Sequence, residues 1–278
     1  MKQIIMTSPT SFAVHYVINP HMEGNEGAID ITKAVQQWSN LRNALIGASV
    51  DVIVMPQPPT YCPDAVFTAN AGLIYQNKFL PSRFRYEERQ AEETYFIDWY
   101  LKHCFNILSD VEIEEPREFN SFEGAGDALF DKSKGILWYG FGFRSSLTYK
   151  STLDREFDET DMIVRPLGLV DPRWYHLDTC FCPLDNGGCL WYPGAFDEHA
   201  QYTIETWYGD SAIAVSEEDA LGFACNAVSV GSTVITPTIS EDLLYTLNER
   251  GYAVVQVEMS EFLKSGGACK CLTLEVIE

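Results

Sequence analysis

The sequence predicts an α/β (α+β) fold, on three observations. A helical pattern gives way to an apolar strand pattern within a few residues, and it does so three times. Short strand-like runs fill the intervals. Apolar residues make up 46% of the 278 positions, enough to bury a sizeable core. In chain order, an amphipathic helix over about 32–46 leads into the strand VDVIVMP, and AGLIYQ follows. A second helix over about 85–103, ending DWYLKHC, leads into FNILSD. GILWYG, CLWYPG and SAIAVS read as further strands. STVITP then precedes a third helix at EDLLYTLNERG, which leads into YAVVQVEM. The recurring unit is strands plus one helix, used several times. No linker or low-complexity stretch divides the chain, so it reads as one domain over 1–278.

Charge and composition exclude several classes of function. The net charge of −21 leaves no basic surface to neutralise phosphates, which argues against nucleic acid. An acidic field attracts cationic substrates, although acidity also serves solubility. No apolar run approaches the roughly 18 residues of a membrane span, and MKQIIMTSPT lacks the apolar core of a signal peptide. The expectation is a cytoplasmic protein with no membrane partner, and a homo-oligomer is left open. GAGDALF has the glycines but not the spacing of a dinucleotide loop, and no phosphate-binding GxxxxGK[ST] loop occurs. Nucleotide-dependent chemistry is therefore not expected.

Eight cysteines are present: Cys62, Cys104, Cys180, Cys182, Cys189, Cys225, Cys269 and Cys271. Without an export signal they read as thiols and not as a disulfide framework. Cys180/Cys182 and Cys269/Cys271 are CxC pairs. On a strand both members would face one side, a poor corner for tetrahedral zinc. No metal and no cofactor is expected.

Four polar stretches sit in unusually apolar settings: PDAVFTANA at 63–71, FEGAGD at 122–127, HLDT at 176–179 and Gly266-Gly267-Ala268-Cys269. Cys269, before the strand-like CLTLEV, reads as a nucleophile at a strand mouth, open to a cavity. A buried structural cysteine is the alternative. His176 is the acid/base candidate; placed on a strand, it would share a face with Asp178. Glu123 or Asp127 could orient its ring, or either could simply cap a turn. Asp64 and Asp178 could grip a guanidinium bidentately, and Arg83 and Arg144 could clamp an α-carboxylate. For each arginine a surface ion pair is the plainer reading.

Taken in order, an acid-bearing loop, a Glu/Asp-Gly turn, HxD and a C-terminal Gly-Gly-x-Cys resemble the guanidino-group modifying hydrolases and amidinotransferases. The resemblance runs from VHYVINP to Cys269. It is nearest to the arginine dihydrolase domain of cyanobacterial arginine-degrading enzymes, which has similar VINP, FTANAG, SRF, FEGAGDALFD and HLDTCFCPL stretches. It implies the five-bladed β/α propeller called the pentein fold, as a single catalytic domain. It also implies Cys269 as nucleophile, His176 as general acid/base and Glu123 as its carboxylate partner. By the same resemblance Asp178 holds the guanidinium, Arg83 and Arg144 hold the substrate carboxylate, and Asn19 touches substrate. Arginine deiminases and dimethylarginine hydrolases carry an acid where this chain has Asn70; the dihydrolases carry asparagine. The implied activity is arginine dihydrolase, giving ornithine, carbon dioxide and two ammonia. Deiminase or dimethylarginine hydrolase activity stopping at citrulline, amidino transfer, and a non-catalytic propeller such as a ribosome-binding factor are the alternatives.

Overall fold

A computed structural model of the chain describes residues 1–103, the backbone of 106–107, and residues 116–277. Its elements are β1 (Gln3–Thr7), α1 (Ile31–Gly47), β2 (Asp51–Met55), β3 (Gly72–Tyr75), β4 (Lys78–Pro81), α2 (Glu87–Lys102) and β5 (Asn106–Ile107). There follow β6 (Ala128–Asp131), β7 (Ile136–Phe141), α3 (Lys150–Phe157), β8 (Ile163–Gly168), β9 (Phe181–Pro183), β10 (Cys189–Trp191), α4 (Glu198–Tyr208) and β11 (Ala212–Ala214). The last are α5 (Glu217–Leu221), β12 (Val228–Val230), β13 (Thr233–Thr236), α6 (Glu241–Glu249), β14 (Ala253–Gln256), α7 (Ser260–Leu263) and β15 (Leu274–Ile277). The expected mixture of helices and short strands is what forms. Most of FNILSD, and Cys104, lie outside the described residues.

One pairing rule recurs five times among these elements. An antiparallel pair is followed by a helix and then a strand parallel to the second member. β3-β4-α2-β5, β6-β7-α3-β8, β9-β10-α4-β11 and β12-β13-α6-β14 obey it. The fifth unit joins the two ends of the chain: β15 pairs antiparallel with β1, and β1 pairs parallel with β2 across α1. A parallel pairing of β15 with β3 fuses this unit with its neighbour into the six-stranded order β2-β1-β15-β3-β4-β5. The other units remain separate three-stranded sheets, and no sheet among the described residues closes on itself.

The helices form for local reasons. In α1, Ala34, Trp38, Leu41 and Leu45 recur at helical spacing and are buried beside Ile4 and Met6. The Asp30 side chain caps its N-terminus by accepting from the Lys33 N–H at 3.1 Å. Asp197 and Ser240 cap α4 and α6 in the same manner.

Each unit's first strand is preceded by a tight turn, and these turns meet. Their hydrogen bonds form a closed cycle. Ala69 N–H donates to the Cys271 carbonyl (3.0 Å), Asn70 Nδ2 to the Glu123 carbonyl (3.3 Å), and Leu177 N–H to Asp127 Oδ1 (3.0 Å). Asn226 Nδ2 donates to the Asp178 carbonyl (2.8 Å), and Lys270 N–H to the Asn226 carbonyl (3.1 Å). Two glycines permit so close an approach. A Cβ on Gly126 would stand 2.3 Å from Asn70 Nδ2, and one on Gly124, at φ +60°, would stand 2.7 Å from Gly72 N.

Two local expectations are corrected here. HLDT is not strand: Leu177–Thr179 is a 3-10 turn and β9 begins at Phe181, so His176 and Asp178 do not share a strand face. The strand after the C-terminal glycines begins at Leu274, so Cys269 and Cys271 lie in a turn, where side chains two apart need not point alike.

Candidate active site

The turns carry nearly all the polar candidates into one place. His176 Nε2 lies 2.7 Å from Glu123 Oε2, and Arg144 Nη1 donates to the same oxygen at 2.9 Å; all three side chains are buried. Burial alone would raise the Glu123 carboxyl, but the Arg144 guanidinium and the His176 hydrogen bond hold it well below the usual carboxylate range. Asp127 Oδ2 is 4.0 Å from the ring. Its two oxygens instead accept from the Leu177 N–H at 3.0 Å and Ser145 Oγ at 2.6 Å, and burial raises its carboxyl to about 6. Glu123 therefore contacts the imidazole, while Asp127 pins the backbone that carries it.

Arg144 is also clamped. Its guanidinium lies between the Tyr86 and Tyr175 rings, 4.7 and 4.6 Å from their centroids, and Nη2 donates to the Ile18 carbonyl at 3.0 Å. Ile18, Asn19 and Met22 line a small cavity of about 10 Å³. Asp64, Asn70, Arg144, His176 and Cys271 are among its other lining residues. A much larger groove, about 830 Å³, runs between 54–61 and α2, but it holds none of this constellation. Chemistry, not size, identifies the site.

Asp64 Oδ2 accepts from Tyr16 Oη at 2.9 Å and Oδ1 from Ser265 Oγ at 3.2 Å, with burial raising its carboxyl. Asn19 bridges to the Ser265 carbonyl through Nδ2, at 3.1 Å. Asn70 Oδ1 accepts from Arg89 Nη1 at 2.9 Å. Arg83 stands apart from the cavity: its Nε donates to the Asn120 carbonyl at 3.0 Å, and its backbone bridges to Phe122.

The cysteine expectation needs a larger correction. Cys269 is fully buried in an apolar cluster with Phe67, Met259, Phe262 and Leu272. Among the described residues no side chain hydrogen-bonds its thiol, and burial pushes that thiol up. It does not face the cavity. Cys271 does. Its Sγ donates to Asp178 Oδ2 at 3.1 Å and receives Asn226 Nδ2 at 3.0 Å. Burial, then the Asp178 carboxylate, push the Cys271 thiol up, and burial raises Asp178 to about 7. Asp178 Oδ1 is buried with no hydrogen-bond partner, and Asp178 lies behind Cys271, outside the residues that line the cavity.

Sequence reasoning missed three contributors. Arg89 and Glu92 form a buried bidentate pair at 3.0 and 2.7 Å, which carries Arg89 onto Asn70 and the Asp64 carbonyl. The helix-start segment EERQAEE has too many charges for spacing to single them out. Asn226, in CNAVSV, looks like any turn asparagine. No group of three His, Cys, Asp or Glu that could hold a metal occurs among the described residues, and no described helix is long and apolar enough to cross a membrane.

Comparison with known proteins places this geometry. A family model described as N,N dimethylarginine dimethylhydrolase, eukaryotic, matches residues 9–278. A bifunctional arginine dihydrolase/ornithine cyclodeaminase from a Nostoc species is 44% identical over 99% of this chain, which spans 38% of that relative's length. A dimethylarginine dimethylaminohydrolase from Mycobacterium tuberculosis is 35% identical over 99% of this chain and 86% of its own. The crystal structure of the N-terminal domain of ArgZ, a cyanobacterial arginine dihydrolase, was solved as a variant with substrate bound. It matches with TM-score 0.93 at 43% identity, covering 100% of this chain and 99% of that one. The mixed α/β fold is shared with it.

Proposed function

We propose a function from one premise: the chain belongs to the N,N dimethylarginine dimethylhydrolase family. It is a cysteine hydrolase of the arginine guanidino group, an arginine dihydrolase that releases ornithine. The observation that carries this reading is a thiol, Cys271, bonded to a carboxylate with an unpartnered oxygen, Asp178, and lining one cavity with an imidazole already paired to Glu123. The five units are blades about a common axis, and the closed cycle of turn-to-turn hydrogen bonds supports that arrangement.

The nucleophile is Cys271 and not Cys269. A guanidinium docked on Asp178 brings a cation beside Sγ, which favours the thiolate. Attack on the guanidinium carbon gives a tetrahedral adduct. His176, with Nε2 held by Glu123, protonates departing ammonia and leaves an amidino-thioether. The imidazole then activates water, which cleaves the thioether and yields the ureido product. A second water and a second round on that product release ornithine, ammonia and carbon dioxide. Arg144 and Asn19, which both line the cavity, are placed for the substrate's amino-acid end. Arg83 is not.

Asn70 favours the second round. A carboxylate there would meet the neutral ureido oxygen as a second acceptor, whereas the amide keeps an N–H to donate. Incubation with arginine and quantification of citrulline, ornithine and ammonia tests the reading: ornithine with two ammonia per arginine is expected. Citrulline alone would move the chain to deiminase. The family model and the mycobacterial relative favour one second reading, dimethylarginine hydrolysis, and dimethylamine release from dimethylarginine is its measure.

A further inference from the structure

We infer that Asn226 is a positioning residue for Cys271, with its side-chain amide divided between two tasks: Oδ1 fixes the cysteine-bearing turn and Nδ2 stabilises the thiolate. This inference rests on Cys271 being the nucleophile.

The amide cannot be turned the other way round. Its Oδ1 accepts the backbone N–H groups of Ala268 (3.1 Å), Lys270 (3.0 Å) and Cys271 (3.2 Å), which can only donate. That leaves Nδ2 facing two acceptors, the Asp178 carbonyl at 2.8 Å and Cys271 Sγ at 3.0 Å. Both N–H groups are used, and the side chain is fully buried. One residue thus ties the His176–Asp178 turn to the Cys271 turn and aims a donor at the reacting sulfur.

The backbone behind Asn226 is held in a costly shape to do this. Phe223 has φ +62°, a left-handed conformation that bulky side chains avoid, and the Asn226 N–H donates back to the Phe223 carbonyl at 2.9 Å. Asn226 does not line the cavity, so substrate does not need it for contact. Its effect falls on the sulfur. A donor preorganised at a developing or standing anion contributes on the order of 10²-fold in rate. The charged and titratable groups around that sulfur are Asp178 at 3.1 Å, His176, Asp64, Arg89 and Arg144 across the cavity, Tyr175, and Lys270 next in the chain.

Two variants separate the tasks. Asn226→Asp keeps an acceptor for the three backbone N–H groups but turns a carboxylate oxygen to Sγ and to the Asp178 carbonyl. Asn226→Ala removes both functions. The readouts are the pH profile of Cys271 alkylation by iodoacetamide, mapped by mass spectrometry, with kcat and KM for arginine and thermal unfolding. The expected result for Asn226→Asp is a folded protein that melts below wild type, because the bond to the Asp178 carbonyl is lost, with an alkylation midpoint at least one pH unit higher, kcat down about 10²-fold and KM within about twofold. An Asn226→Asp protein with a wild-type alkylation profile and kcat, beside a defective Asn226→Ala, would reduce Asn226 to a structural anchor and overturn the inference. If Cys271→Ser stays active, the failure lies in the underlying reading instead, so the two failures are distinguishable.

Discussion

Cys269 and Cys271 stand two residues apart in one turn and share one apolar cluster, but only Cys271 also meets polar side chains among the described residues. Around Cys269 are aromatic and aliphatic side chains, and its thiol has no polar side-chain partner among the described residues. Around Cys271 are an acid, an amide and, across the cavity, an imidazole. A buried thiol in apolar surroundings is inert, because burial penalises the thiolate. Under the function proposed above, the same burial beside an amide donor and a carboxylate that recruits a cation makes a thiol that substrate switches on. Neighbouring chain positions with one chemistry are told apart only by what the fold packs against them.

The largest effect tests that contrast directly. Cys271→Ser should lower turnover on the order of 10³-fold or more, since a hydroxyl is a far poorer nucleophile and single losses from a catalytic set are of this size. Cys269→Ala should keep turnover within a few-fold, with a modest fall in melting temperature from the lost packing. Arginine consumption and unfolding measured on both variants decide it; the reverse pattern would return the nucleophile to Cys269.

His176→Ala comes next, with an expected loss of about 10²-fold in kcat, the usual scale of a general acid–base contribution. Glu123 and Arg144 remain paired without the imidazole, so the fold should survive and unfolding should be little changed. Normal turnover would make the ring a structural member of the buried ion cluster.

How much of this is legible in the sequence follows the same line between pattern and packing. Helix α1 and helix α6 are readable because apolar spacing is a property of the chain itself, and so are strands such as β7 and β13. HLDT reads as strand, wrongly, because its neighbours Phe181 and Cys182 do form β9, and a short turn leaves no periodicity of its own. The strand assumption also makes Cys269 and Cys271 equivalent, since residues two apart on a strand share a face. Only the turn separates them. Arg89, Glu92 and Asn226 are invisible for another reason: their roles depend on partners 19 to 48 positions away, or on a bidentate geometry inside a crowded charge run.

Asn70→Asp sharpens the polar side of the comparison by adding a charge to it. Arg89 Nη1 already sits 2.9 Å from Asn70 Oδ1, so a carboxylate there gains a partner, while the bond from Asn70 Nδ2 to the Glu123 carbonyl is lost and some fall in melting temperature is expected. The other oxygen would meet a neutral ureido group as an unmatched acceptor, at roughly 1–3 kcal/mol. Pairing with Arg89 offsets part of that, so the citrulline-to-ornithine ratio from arginine should rise about tenfold. An unchanged ratio at matched conversion would remove Asn70 from the choice of product.

The smallest effect concerns the stability cost of the polar surroundings themselves. Burial raises the Asp178 carboxyl from 3.8 to about 7, and its Oδ1 has no partner. The folded state therefore holds a proton that the unfolded chain releases near pH 4. With more protons bound in the folded form, stability falls as pH rises through this window and levels off above about 7. Asp178→Asn has no such titration, and its amide oxygen can still accept from Cys271 Sγ. A rise of that size in the carboxyl sets a ceiling of about 4 kcal/mol, and about 1–2 kcal/mol is expected after relaxation around the site. Wild type and variant should melt at similar temperatures at pH 4, with the variant ahead by a few degrees at pH 8 and nearly inactive throughout. A gap that stays constant from pH 4 to pH 8 would mean the carboxyl does not titrate in this window, and that Asp178 is ionised and satisfied before substrate arrives.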